Sequence, residues 1–369
     1  MNKEKNELNL LLNKVFQKMD YQKYLTPINF SEENGLFLKN YREKKVYNPQ
    51  YKYYKFCAEN IYDTFHILEN LVLDNCKDNN IFRESIDKLD CELKMYENIG
   101  DDEKFSESSI YVYGEPDIVY ESEAKKDICS IAHSSSESIG KYTPKELEYI
   151  IMKRLKEYGF DWKINVTSNM TSRISVEPDS KEIFINSHKK FSHNDILRLL
   201  VHEIDTHVLR TENGFLRKYA FYSADLSRTI MHEEGLALYN EKINGLQDDF
   251  AQLLYCARFL CCVNYNMSFY ELFDMLINYG CSEDISLYIV SRIKRGLSDT
   301  SKPGGFVKDY VYYQGLKEIE TAIEKDKGIY NKMYYGNISL KDIDTLGDNI
   351  DKAVRDNSII MPIDAEASV

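Results

Sequence analysis

Residues 192–209 read SHNDILRLLVHEIDTHVL, and the fold turns on how this stretch is understood. Ser192 and Asp195 have the spacing of a capping box, so a helix is expected to begin here. Ile196, Leu199 and Leu200 form an apolar stripe that runs into Glu203 and His207 at helical spacing. Polar groups on a face that should be core are either satisfied by partners or used for chemistry. The residue types suit a metal: two neutral imidazoles bind a divalent ion, and a neighbouring carboxylate can act as a base on water. Zinc peptidases of the His-Glu-x-x-His type place their histidines four apart. Here His202 and His207 are five apart, which on a regular helix separates them by about 140°. A π-bulge would absorb the extra residue. The plainer alternative is two helix histidines satisfied by hydrogen bonds.

A second stretch bears on that choice. Residues 228–239 read RTIMHEEGLALY, again with helical character. Ile230, Glu234 and Leu238 share a face, so an acid once more interrupts an apolar stripe. A carboxylate from a second helix, added to two histidines, completes a three-ligand catalytic zinc site with one position left for water.

Together the motifs resemble a known family. HEIDTHVLRTENG at 202–214, EEGLA at 233–237, and RGLSDTSKPGGFVKD at 295–309 followed by Tyr312 and Gly315 are similar to the tyrosine/phenylalanine carboxypeptidases. That family is typified by microtubule-associated tyrosine carboxypeptidase, and its bacterial members are labelled for a Gln-Glu-Gly-Leu-Ala motif. The resemblance spans roughly residues 143–320. It implies one Zn2+ per chain held by His202, His207 and Glu234, with Glu203 as catalytic base. It also implies cleavage of the C-terminal peptide bond of a peptide or protein, releasing Tyr or Phe. Glu233 stands where the bacterial label has Gln, so either glutamate is a candidate third ligand.

A carboxypeptidase also needs a fixed cation for the substrate's free carboxylate. Arginine offers a planar fork and lysine a point charge. The candidates are Arg210, Arg292, Arg295 and Lys308. Lys308 and Tyr312 are one helical turn apart, and the resemblance favours Lys308 and Arg295. Arg210 has a second reading, as a tie from the ligand helix to Asp205 or Glu212. Phe306 is a candidate wall for an aromatic side chain. The same metal centre would also serve an aminopeptidase or endopeptidase, and a non-enzymatic regulator could retain the scaffold. Retention of Glu203, which metal binding alone does not require, speaks against the regulator.

Composition narrows the field. The chain has 369 residues, 43% of them hydrophobic, which suffices for one large or two ordinary domains. A net charge of −13 argues against nucleic acid, an anionic membrane or a strongly acidic substrate as the main partner. The first residues, MNKEKNEL, lack an apolar stretch of signal-peptide length, and no run is long enough for a membrane span, so a cytoplasmic protein is expected. The eight cysteines include no Cys-x-x-Cys pair and read as free thiols. Nothing in the sequence fixes an oligomeric state.

The fold class expected is α+β: a mostly helical, zincin-like metallopeptidase with a small mixed or antiparallel sheet before the metal-binding helix. Residues 1–142 read as a helical N-terminal region, with candidates at Leu8–Met19, around Ile61–Val72 and at 81–98. Between Ser106 and Tyr142 the periodicity fails, and a linker or long loop is expected, with Tyr111, Tyr113 and Ile118 as a possible short strand. The catalytic domain is expected over 143–352. It opens with a helix led by Thr143 and Pro144 and stopped by Gly159. Strands follow at 162–167, 173–177 and 182–186, with Ile183–Asn186 as the free edge able to pair with an extended substrate. Helices are expected at 250–262, 269–279, 285–295 and 308–325, and residues 353–369 read as a loosely held tail.

Overall fold

The computed structural model describes residues 21–363 except 76–79, 133–139, 169, 171, 179, 218–219 and 225, together with residues 11, 14 and 15. It is mostly helical with one small mixed sheet, an α+β protein. The chain forms two units. One holds Leu10–Ser135 and Asp249–Gln314; the other holds Ser136–Asp248 and Gly315–Val369 with the first nine residues. This division cuts across the expected 143–352 domain, because the helices of 249–314 pack with those of the N-terminal region.

The unit carrying the His/Glu motifs starts from local signals. Thr143 and Glu146 form a capping box, Pro144 occupies the first turn, and Gly159 at φ 76° ends the helix Pro144–Tyr158. Strands β1 (Lys163–Thr167), β2 (Ile174–Glu177) and β3 (Glu182–Asn186) follow in the spatial order β1-β3-β2. β3 runs parallel to β1 and antiparallel to β2. The expectation that Ile183–Asn186 forms a free edge is therefore corrected. A meander would leave the last strand outermost, but β3 instead inserts between the other two. Its inward Ile183 and Ile185 are fully buried, as a central strand with the most apolar face should be. They share a core with Leu147 and Ile151 of the preceding helix and with Ile196, Leu200 and Ile204 of the two-histidine stretch. The sheet and first helix thus hold one side of the two-histidine helix.

The chain beyond Ala353 is also better held than expected. Helix Gly347–Arg355 includes Ala353. After it, Arg217 donates to Ser358 O, Ile360 exchanges two hydrogen bonds with the Asn213 side chain, and the Ile363 N–H donates to the Tyr158 hydroxyl. Buried polar groups elsewhere in this unit supply the partners that the apolar pattern of 356–363 does not advertise. Residues 364–369 lie outside the described residues.

The other unit is helical. Helices Glu59–Asn75 and Asn80–Glu97 match two of the expected elements; the Leu8–Met19 candidate falls almost entirely outside the described residues. The largest departure lies at 102–131. Where a loop or strand was expected, helices Asp102–Tyr113 and Glu121–Ile131 form, joined through a short turn at Ile118–Tyr120. The buried face of the first includes Ser106 and Ser109. Their hydroxyls accept from the backbone N–H groups of Gly305 and Val307. A helix whose inner face holds serines bonded to a loop shows no apolar period, which is why the pattern fails there. Ser134–Ser136 lie outside the described residues. Helices Asp249–Val263, Phe269–Asn278 and Glu283–Ile293 complete this unit. The Gly296–Gly305 loop is secured by buried Lys294, whose Nζ donates to the carbonyls of Tyr265, Lys302 and Gly304 at 2.8–3.0 Å.

Candidate metal centre

Ser192 caps the helix His193–Leu199 through the expected box with Asp195. The helix then widens: Leu200–Val208 is π-helical. With i→i+5 hydrogen bonding, residues five apart lie one above the other, so His202 and His207 come to the same face. Their rings lie 5.0 Å apart, centroid to centroid. The wider turn is supported by polar contacts. Thr206 Oγ1 donates to Val201 O at 2.8 Å, Asn240 donates to Thr206 Oγ1, and the Tyr334 hydroxyl donates to Asp205 O.

Helix Ile230–Ile243 brings Glu234 to the two rings. Its Oε2 lies 3.4 Å from His202 Nε2 and 3.8 Å from His207 Nε2. One ligand atom from each of the three residues lies within 4.8 Å of the others. For bonds of about 2.0–2.1 Å in a tetrahedral site, ligand atoms should be roughly 3.3 Å apart. The two spacings from Glu234, 3.4 and 3.8 Å, approach that value.

The remaining ring nitrogens face carboxylates. Glu241 Oε1 is 2.7 Å from His202 Nδ1, and Glu233 Oε1 is 3.0 Å from His207 Nδ1. Each acid has an arginine behind it: Arg198 lies 3.6 Å from Glu241, and Arg210 pairs with Glu233. These contacts leave both Nε2 atoms toward Glu234, the arrangement outer carboxylates impose on metal-binding imidazoles. Glu233 is therefore behind His207, while Glu234 is on the side shared by the two Nε2 atoms.

The charge balance also suits a divalent cation. Glu203, Glu233, Glu234 and Glu241 face Arg198 and Arg210, which leaves two negative charges when the histidines are neutral. Burial opposes a charge on either ring, yet the carboxylates prevail. Glu234 and Glu241 raise His202 well above the ordinary imidazole value, and Glu233 and Glu234 raise His207. Donor set, spacing and field all fit a zinc-like ion. Glu203 is half-buried beside His202, and its carboxylate makes no hydrogen bond or ion pair among the described residues.

Arg210 does not serve as a free cation. It is fully buried, with Nε donating to Met333 O and Gly336 O, Nη2 to Ile338 O, and Nη1 to Glu233. Its whole fork is committed, so the substrate-carboxylate role is corrected; it is a tie, as the second reading had it, but to Glu233 rather than Asp205 or Glu212. Arg295, Lys308, Tyr312 and Phe306 belong to the other unit. There Arg295 lies 4.4 Å over the Phe306 ring, Lys308 Nζ lies 5.7 Å from the Tyr113 ring, and Tyr312 stacks on Tyr255.

A family described as microtubule-associated tyrosine carboxypeptidase matches residues 37–362. The chain belongs to that family. Among relatives of the tyrosine carboxypeptidase family, microtubule-associated tyrosine carboxypeptidase 1 of Mus musculus is 35% identical over 127 residues, 33% of this chain and 27% of the relative. The Rattus norvegicus protein of the same name is 36% identical over 129 residues, 33% of this chain and 26% of the relative. The chain thus spans about a quarter of the length of the curated relatives it matches.

Two residues escaped the sequence reading, Arg198 and Glu241. The signal for Glu241 was available: it stands seven after Glu234, two turns along the same helix face.

Proposed function

We propose that the protein is a zinc-dependent metallocarboxypeptidase of zincin-like design, acting in the cytoplasm on peptide or protein C-termini that end in Tyr or Phe. The observation that carries this reading is the convergence of His202, His207 and Glu234 from two helices, with an unengaged Glu203 beside them. Bound zinc supplies a Lewis acid for the scissile carbonyl and acidifies water. Glu203 accepts the proton of the attacking water and returns it to the leaving amine. Glu241 and Glu233 hold the two imidazoles in the tautomer that directs Nε2 inward. The specificity for an aromatic terminus rests on family membership. Free thiols at all seven described cysteines agree with a reducing compartment. No helix among the described residues is long and apolar enough to cross a membrane.

The test combines metal analysis of the purified protein with cleavage of peptides that differ only in their last residue. Stoichiometric zinc and release of terminal Tyr or Phe are expected, with activity lost when the terminal carboxylate is amidated. Equal cleavage of free and amidated peptides would instead indicate an endopeptidase or aminopeptidase, and cleavage without metal would remove the proposed chemistry.

A further inference from the structure

The π-helical winding of Leu200–Val208 needs a cause, because π turns are rare and the same residues could wind more tightly as an α-helix. The hydrogen bonds at its end show where the cause lies. The Leu209 N–H bonds Ile204 O and Thr206 O. It passes over Asp205 O, the acceptor that α winding would give it. Asp205 is buried, and a buried carbonyl without its helical donor needs another partner. Asp205 O takes the Tyr334 hydroxyl at 3.0 Å. Earlier in the same stretch, Thr206 Oγ1 donates to Val201 O at 2.8 Å, spanning the same five residues as a π-helical hydrogen bond.

Both hydroxyls answer to one side chain. Asn240 Nδ2 donates to Thr206 Oγ1 and to the Tyr334 hydroxyl, each at 2.7 Å, and Asn240 Oδ1 accepts from the Tyr330 hydroxyl at 3.1 Å. An amide nitrogen carries two protons and accepts none, and here both protons are used. The protons of Thr206 and Tyr334 are therefore turned away from it, toward Val201 O and Asp205 O. Thr206, Asn240 and Tyr334 are buried and belong to the same unit. A buried network of this kind is rigid when every member is satisfied and costly when one is not. Asn240 also shares its helix with Glu234, so the amide that fixes the winding is tied to the third ligand.

We propose that Asn240, acting through Thr206 and Tyr334, is a positioning residue for the metal centre: it locks 200–208 in the π winding that puts His202 and His207 on one face. What the lock does for an ion rests on the metallopeptidase reading; the lock on the helix does not. The test uses the full chain, stripped of metal by chelator, as wild type, Thr206→Val, Thr206→Ser, Tyr334→Phe and Asn240→Leu. Backbone hydrogen exchange is followed by mass spectrometry, and zinc affinity by competition with a chromophoric chelator. Thr206→Val and Tyr334→Phe each remove one hydroxyl with little change of volume. Each is expected to speed exchange across 200–213 by about tenfold or more, the loss of one buried hydrogen bond. Each should also weaken zinc by about 10- to 100-fold. Helix Pro144–Tyr158, in the same unit, should keep its wild-type exchange. Thr206→Ser, which keeps the hydroxyl, should match wild type in both measurements. Adding Thr206→Val to Asn240→Leu should weaken zinc little further, because the two remove one shared contact. If Asn240→Leu does not fold, the variants at 206 and 334 decide the matter. Unchanged exchange across 200–213 in Thr206→Val and Tyr334→Phe, a Thr206→Ser protein no better than Thr206→Val, or acceleration spread evenly over the whole unit would overturn the proposal. If wild type takes up no zinc while the exchange pattern is found, the metallopeptidase reading fails and the lock stands.

Discussion

Gly315→Ala tests how the metal centre is assembled. Helix Val311–Lys325 crosses the helix of Glu234 where Gly315 meets Gly235. A Cβ on Gly315 would lie 2.1 Å from Met231 O and 3.2 Å from Gly235 Cα. Carbon–oxygen contacts settle at roughly 3.3 Å, so against 2.1 Å the shortfall is about 1.2 Å. The obstructing atom is backbone and cannot rotate away; one helix must move. Metal sites tolerate deviations of about 0.2 Å in ligand distance. If only a quarter of the displacement reached Glu234, about 0.3 Å, the site would exceed that tolerance. Overpacking of this kind costs about 1–3 kcal/mol, or a fall in Tm of roughly 1–4 °C for a chain of this size. Zinc affinity, read by competition with a chromophoric chelator, is expected to fall at least about tenfold, as for a lost supporting contact. Gly347→Ala is the control: a Cβ there meets nothing within 4 Å, and Tm should hold or rise slightly. If Gly315→Ala kept wild-type zinc affinity and Tm, the close helix crossing would have no part in placing Glu234.

Other substitutions separate the remaining roles. Glu203→Gln should retain zinc but lose turnover; a variant with normal turnover would remove Glu203 as the base. Glu234→Ala should abolish zinc binding, whereas Glu233→Gln and Glu241→Gln should each weaken it by about 10- to 100-fold; the reverse ranking of 233 and 234 would exchange ligand and support. Glu233→Ala should in addition destabilise the fold by about 3–5 kcal/mol, because it strands the buried Arg210, and this is measured by denaturant unfolding. Asp309 responds to pH. Burial raises its pKa, but Arg292 outweighs that and holds it well below the usual carboxylate range. A depressed folded pKa gives stability that is full above the unfolded value near 3.9 and is lost as pH falls through the folded value. Asp309→Asn should therefore flatten the acid limb of the stability curve below about pH 5; an unaltered limb would count against the pairing.

What could be read from the sequence was what is local in it. The helix start at Thr143–Pro144, the capping box at Ser192, the stop at Gly159 and the five-residue histidine spacing each involve atoms within one or two turns, and each corresponds to the structure found. The order of strands was not local: nothing within 182–186 says whether β3 is last or central, since both positions bury Ile183 and Ile185. Helix Asp102–Tyr113 was hidden because its inner serines are matched by a loop some 200 positions away, so its periodicity is one of hydrogen bonding rather than hydropathy. The same cause concealed the outer carboxylates of the metal centre. An acid on a helix is ordinarily a solvated residue, and Glu241 differs from its exposed neighbour Lys242 only through a partner 39 positions earlier. Yet burial of such acids carries information that one ligand motif does not. Four carboxylates against two arginines set up a negative field at the imidazoles, which either their protonation or a divalent cation would satisfy.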